Sequence, residues 1–121
     1  MARKRILVVD DDETLCQGLA FILKDEGYLV KSTSDPAKAR LLADQFSHDI
    51  AILDYKMSGL TGIDLLRSIK ERNPQTVVFI ISGRPFLERT LAEEQVAHLV
   101  AGVLAKPFTE RDLLAMIAKV K

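Results

Sequence analysis

Cysteine is nearly missing from this chain of 121 residues: Cys16 stands alone. An internal disulfide is therefore excluded, and a reducing compartment, the cytoplasm, fits best. On a helical segment a lone thiol is expected to act as a small buried hydrophobe. Excess charge is missing too. The 17 lysines and arginines equal the 17 aspartates and glutamates, which argues against nucleic acid or an acidic membrane as the main partner. Long apolar runs do not occur. The basic start "MARKR" leads into only four apolar residues, "ILVV", before "DDDE", too short for a secretory signal or a membrane span. Arg3, Lys4 and Arg5 are expected to be a solvated lead-in. There is no low-complexity linker, no internal repeat, and no G-x-x-x-x-G-K-[ST], H-E-x-x-H or C-x-x-C motif. His48 and His98 are isolated, and each is expected to be an ordinary turn or surface residue.

What remains is a composition of 48% hydrophobic and 28% charged residues, enough for one globular domain over residues 1–121. Strands are predicted at Arg5–Asp10, Leu29–Thr33, Ile50–Asp54, Thr76–Ser82 and Gly102–Ala105. Several are continuous apolar runs, as parallel strands buried on both faces require. Helical patterns lie between them. Leu15, Leu19, Ile22 and Leu23 share a face before Gly27. Asp35-Pro36 opens a second helix with Ala39, Leu42 and Phe46 inward. Ile63, Leu66 and Ile69 or Lys70 mark a third, ending before Asn73-Pro74. Phe86–His98 is a fourth with a ragged apolar face, and Thr109–Asp112 reads as a capping box opening the last, with Leu113, Ile117 and Val120 inward. Five alternations predict an α/β fold: a doubly wound, five-stranded parallel (βα)5 sheet, flavodoxin-like, in the order 2-1-3-4-5.

The polar residues gather at the C-terminal ends of these strands. Asp10, Asp11 and Asp12 follow the first, Asp54 ends the third, Ser82 ends the fourth, and Lys106-Pro107 follows the fifth. Each has a bland explanation on its own: a helix cap, a turn, a surface lysine. Together they differ, because carboxylates converging on one sheet edge repel one another until something neutralises them. A hard divalent cation with oxygen ligands, such as Mg²⁺, does so.

Four pieces, "ILVVDDDE", "AILDYKMSGLTGIDLL", "VVFIISGRP" and "VLAKPF", make the chain resemble the receiver domain of bacterial two-component response regulators over its whole length. The resemblance implies a phosphoacceptor at Asp54 and Mg²⁺ held by Asp10, Asp11, Asp54 and the backbone carbonyl of Lys56. It implies that Lys106 contacts the phosphoryl group, that Ser82 is the switching hydroxyl, and that Lys106-Pro107 is a cis peptide. Lys56, Gly83 and Arg84 would flank the phosphoryl group, with Lys56 shielding the acyl phosphate from water. The implied donor is a phosphohistidine on a sensor histidine kinase or phosphotransfer protein. Output to an effector domain or downstream protein is expected through the fourth helix, fifth strand and last helix, with a homodimer forming on phosphorylation. No membrane contact, no direct nucleic-acid contact and no enzymatic activity beyond self-phosphorylation and slow dephosphorylation are implied.

Three positions depart from the pattern. Ser58 replaces a usual proline, Val103 replaces the usual aromatic switch residue, and Leu99 stands where glycine is common. Two other readings stay open. Asp10–Thr14 also fits the D-x-D-x-T loop of haloacid-dehalogenase-type phosphohydrolases, which need further acidic ligands after the lysine; here only Glu110 and Asp112 follow. The domain is alternatively a binding module that works without phosphorylation.

Overall fold

The computed structural model describes residues 3–57, 60–85 and 87–120. Strands and helices alternate along them: β1 (Arg5–Val9), α1 (Glu13–Asp25), β2 (Leu29–Thr33), α2 (Pro36–Gln45), β3 (Ile50–Asp54), α3 (Gly62–Arg72), β4 (Val77–Ser82), α4 (Leu87–Glu93), β5 (Gly102–Ala105) and α5 (Glu110–Ala118). The five strands are parallel and lie in the order β2-β1-β3-β4-β5, the flavodoxin-like winding expected. A two-residue antiparallel ribbon, Lys56–Met57 with Leu60–Thr61, joins β3 to α3.

The strand period of two divides the apolar runs between two cores. Leu7 and Val9 of β1, Leu53 of β3 and Ile80 of β4 pack with Ala39, Leu66 and Leu91 of α2, α3 and α4. The alternate residues Ile6, Val8, Ile52 and Ile81 point to the other face, against Cys16, Leu19 and Leu23 of α1 and Leu113 and Ile117 of α5. Burial on both faces is why these strands read as unbroken hydrophobic stretches. The Cys16 thiol lies in the second core, and burial pushes its pKa up.

Local signals set the helix ends. Asp35 Oδ1 accepts the Ala37 N–H with Pro36 in the first turn, and Thr109 and Asp112 form a reciprocal capping box on α5. Gly27, at φ 101°, closes α1. The Gly27 and Tyr28 N–H groups donate to the Lys24 and Leu23 carbonyls, a paired closure that needs a left-handed residue.

The fourth helix is shorter than its sequence pattern. It stops at Glu93, and a 3₁₀ turn, Ala97–Leu99, follows. Gln95 takes φ 59° while the Gln95 and Val96 N–H groups donate to Ala92 and Leu91. This is the same closure as at Gly27, built without glycine. A left-handed non-glycine residue is strained, so Gln95→Gly is expected to raise stability by about 0.5–1 kcal/mol, read as a higher urea midpoint. Leu99 ends the 3₁₀ turn, half-buried against the first core, and its turn needs no positive φ.

Other expectations also change. Phe46 is 43% exposed because α2 ends at Gln45 and the extended backbone of Phe46 turns it off the helix face. His48 is buried, at 6% exposure, whereas His98 is exposed. Arg5 opens β1 and pairs with Asp49 at 3.5 Å, so it is more than lead-in. Ser58 and Phe86 lie outside the described residues.

Candidate functional site

The strand register assembles the site. Val9 pairs with Leu53 across β1 and β3, so Asp10, the next residue, leaves the sheet beside Asp54. Ser82 pairs with Ala105 across β4 and β5, and the Lys106 N–H donates to the Ser82 carbonyl at 2.8 Å. One carboxylate oxygen from each of Asp10, Asp11 and Asp54 lies within 4.8 Å of the other two. Asp10 is fully buried, Asp54 is 5% exposed, and Asp11 faces solvent.

Lys106 is the cation of this cluster. Its Nζ lies 3.3 Å from Asp54 Oδ1, as a hydrogen bond, and 3.0 Å from Asp10 Oδ2. The second contact is Coulombic: Asp10 Oδ2 has no hydrogen bond of good geometry, while Asp10 Oδ1 accepts the Asp12 N–H at 2.9 Å. Burial, then the Asp10 charge, push the Asp54 carboxyl up to about 6, against the pull of Lys106; Asp11 adds to the rise. For Lys106, burial alone acts downward, but contact with Asp10 and then the charge of Asp54 outweigh it and hold the ammonium above its ordinary value. Lys106 pairs with Asp10 and Asp54 but makes no ion pair with Asp11, the third carboxylate of the cluster.

Above these groups lies a cleft of about 700 Å³ lined by Asp11, Asp54, Lys56, Ser82, Gly83, Arg84 and Lys106. Ser82 is 4% exposed, and its Oγ accepts the Arg84 N–H at 2.9 Å. Lys56 is exposed on the ribbon, and the Lys106-Pro107 peptide is cis. Val103 is half-buried against the first core, paired with Ile80 across β4 and β5. Thus the residues picked from sequence reach one sheet edge, with Asp10 buried beneath the cleft rather than lining it, except Val103, which lies further back on β5.

Two participants escaped the sequence. Tyr55 forms part of the cleft wall, with the Arg84 guanidinium 5.4 Å from its ring centre; its place directly after Asp54 was the available signal. Gly62, the first residue of α3, packs on the backbone of Asp54 so closely that an added Cβ would strike the Asp54 carbonyl oxygen. A glycine near a turn gives no hint of such a contact.

The donor set suits a hard divalent cation: three carboxylates, one of them with an oxygen buried and lacking a hydrogen bond. The hydrolase reading finds no support among the described residues. Asp112, one of two acids after Lys106, accepts the Thr109 N–H in the α5 capping box, and the cation cluster includes neither it nor Glu110.

Comparison with known proteins agrees with this fold. Residues 6–118 match the response regulator receiver domain family. The sensory transduction protein RegX3 of Mycobacterium bovis is 28% identical over 115 residues, covering 95% of this chain and 49% of that protein. The chain thus spans about half the length of the curated relatives it matches. A CheY-like response regulator receiver domain protein from Methanospirillum hungatei superposes with a TM-score of 0.87 at 26% identity, covering 98% of this chain and 93% of the other. A response regulator receiver domain protein from Clostridium thermocellum gives 0.82 at 32% identity, with 97% and 93% covered.

Proposed function

Because this chain belongs to the response regulator receiver domain family, we propose that Asp54 is its phosphoacceptor and that residues 1–121 form one receiver domain. The supporting observation is the contact of Lys106 Nζ with Asp54 Oδ1 at 3.3 Å at the floor of an open cleft. An Asp54 oxygen forms a bond to phosphorus while the bond from phosphorus to the donor imidazole nitrogen breaks, and the imidazole departs as the leaving group. Lys106 stabilises charge on the phosphoryl oxygens. Asp10, Asp11, Asp54 and the Lys56 carbonyl would hold Mg²⁺, which supplies further charge stabilisation when bound. The Ser82 hydroxyl donates to a phosphoryl oxygen, drawing the β4–α4 loop inward. Gly83 and Arg84 line the path of approach, and Lys56 shields the acyl phosphate from water.

The donor is a phosphohistidine on a sensor histidine kinase or phosphotransfer protein in the cytoplasm. Among the described residues, no helix is long and apolar enough to cross a membrane. Output runs through the α4–β5–α5 face to an effector domain or partner protein, with homodimer formation on phosphorylation. Val103 offers no aromatic ring to rotate, so the Ser82 loop carries the switch. Turnover is limited to self-phosphorylation and slow dephosphorylation.

Intact-mass measurement with Mg²⁺ and a small acyl-phosphate donor tests the reading. One phosphoryl adduct is expected, abolished in Asp54→Asn. An adduct that survives in Asp54→Asn and vanishes in Asp10→Asn would overturn it in favour of a hydrolase, and no adduct under any condition would favour a binding module.

A further inference from the structure

At the opposite end of the sheet, where β1 and β2 begin, lies a hollow of about 560 Å³, a volume typical of small-ligand sites. Its walls come from the residues before β1, the α1–β2 turn, the first residues of β2 and the α2–β3 loop. Four basic side chains line it, Arg3, Arg5, Lys24 and Lys31, and none of its described lining residues is acidic. In a chain with zero formal charge, that is a local excess. Arg5 is partly neutralised by Asp49, but Arg3, Lys24 and Lys31 form no ion pair among the described residues.

A further observation points to a ligand. Tyr28 and the exposed Phe46 supply flat apolar walls, and Lys31 Nζ lies 4.0 Å from the Phe46 ring centre. His48, 6% exposed, borders both this hollow and a second cavity lined by Ala43, Ile69 and Thr76, and its Nε2 is buried. Its backbone is pinned: the Thr76 hydroxyl donates to the His48 carbonyl at 2.7 Å. That bond fixes the backbone beside the hollow, and the surrounding chain covers most of the ring.

We propose that this hollow binds a small planar anion of the nucleoside monophosphate class. Lys24, Lys31 and Arg3 receive the phosphate, Tyr28 and Phe46 flank the ring, and the covered His48 ring lies beside the ligand without bonding to it. Inorganic phosphate would leave the aromatic walls unused, and an uncharged ring would leave the cations unmatched. The site is independent of Asp54, which lies at the other end of β3.

The test is NMR titration of the full chain with AMP, GMP and CMP, and separately with adenosine and inorganic phosphate, at constant ionic strength. At least one nucleotide is expected to saturate with a Kd below about 1 mM, moving the His48 imidazole signals while those of His98 stay still. The nucleoside and phosphate alone should bind about tenfold more weakly or worse. Lys24→Glu and Phe46→Ala should each weaken binding by about tenfold, whereas Asp54→Asn should leave it unchanged. The proposal is overturned if no nucleotide saturates, if phosphate alone binds as tightly as the nucleotide, or if Lys24→Glu has no effect. Because the readout does not involve phosphorylation, its failure and a failure at Asp54 are distinguishable.

Discussion

Gly62→Ala is expected to lower stability by about 2–3 kcal/mol and to slow phosphorylation of Asp54 by roughly tenfold or more. The added Cβ would overlap the Asp54 carbonyl oxygen and lie 3.1 Å from both the Asp54 carbonyl carbon and Tyr55 Cα. All three are backbone atoms, so no flexible side chain can give way. The start of α3 must withdraw, and it is tied to the end of β3 by the Gly62 N–H, which donates to the Tyr55 carbonyl at 2.8 Å. Strain at the helix start thus reaches Asp54, the proposed phosphoacceptor, through one peptide. Gly18 provides the contrast: it lies within α1 with nothing within 4 Å of an added Cβ, so Gly18→Ala should gain up to about 1 kcal/mol. Urea unfolding and adduct formation over time read both effects. A Gly62→Ala protein as stable and as fast as the parent would refute the steric argument.

Without divalent cations, Asp54→Asn should make the protein more stable near neutral pH, while abolishing the phosphoryl adduct. Burial and the Asp10 carboxylate raise Asp54 from an ordinary 3.8 to about 6, so the folded state holds this proton more tightly than the unfolded chain. Below 3.8 both states are protonated and the group is neutral in effect. Stability then falls as pH rises toward 6, and above that the full penalty applies, on the order of 3 kcal/mol. Asparagine removes the titration, so the gain should be absent near the acid end of this window and complete above it. Added Mg²⁺ should narrow the difference, since it offsets the same charge. Urea midpoints of both proteins in chelator across this pH range measure the effect; a loss of stability in Asp54→Asn at neutral pH would contradict it.

The fold was largely legible because its central strands are buried on both faces, which turns a structural condition into visible apolar runs. The site was legible for a related reason: once the order 2-1-3-4-5 is inferred, the ends of the first and third strands must be neighbours, and Asp10 and Asp54 follow. What stayed hidden depends on backbone conformation or on contacts between distant segments. Nothing in "LAEEQVAHL" marks Gln95 as left-handed, so the fourth helix reads longer in sequence than it is. Phe46 fits the helical spacing but falls one residue past the helix end. His48 looks like any loop histidine until Thr76, from the start of the neighbouring strand, fixes its backbone and the surrounding chain covers its ring.

The contrast between the two-turn α4, closed by a strained residue, and the doubly covered β1 and β3 has a consequence for amide hydrogen exchange. The β1 and β3 amides are expected to exchange only when the whole domain unfolds, so that their protection reports global stability. The α4 amides are expected to exchange through a smaller opening that leaves the sheet intact. Two clocks therefore run in one domain: a slow one in the strands that hold the carboxylates, and a fast one in the helix on the proposed output face. Phosphorylation should slow the second while leaving the first nearly unchanged, as deuterium uptake by mass spectrometry would record.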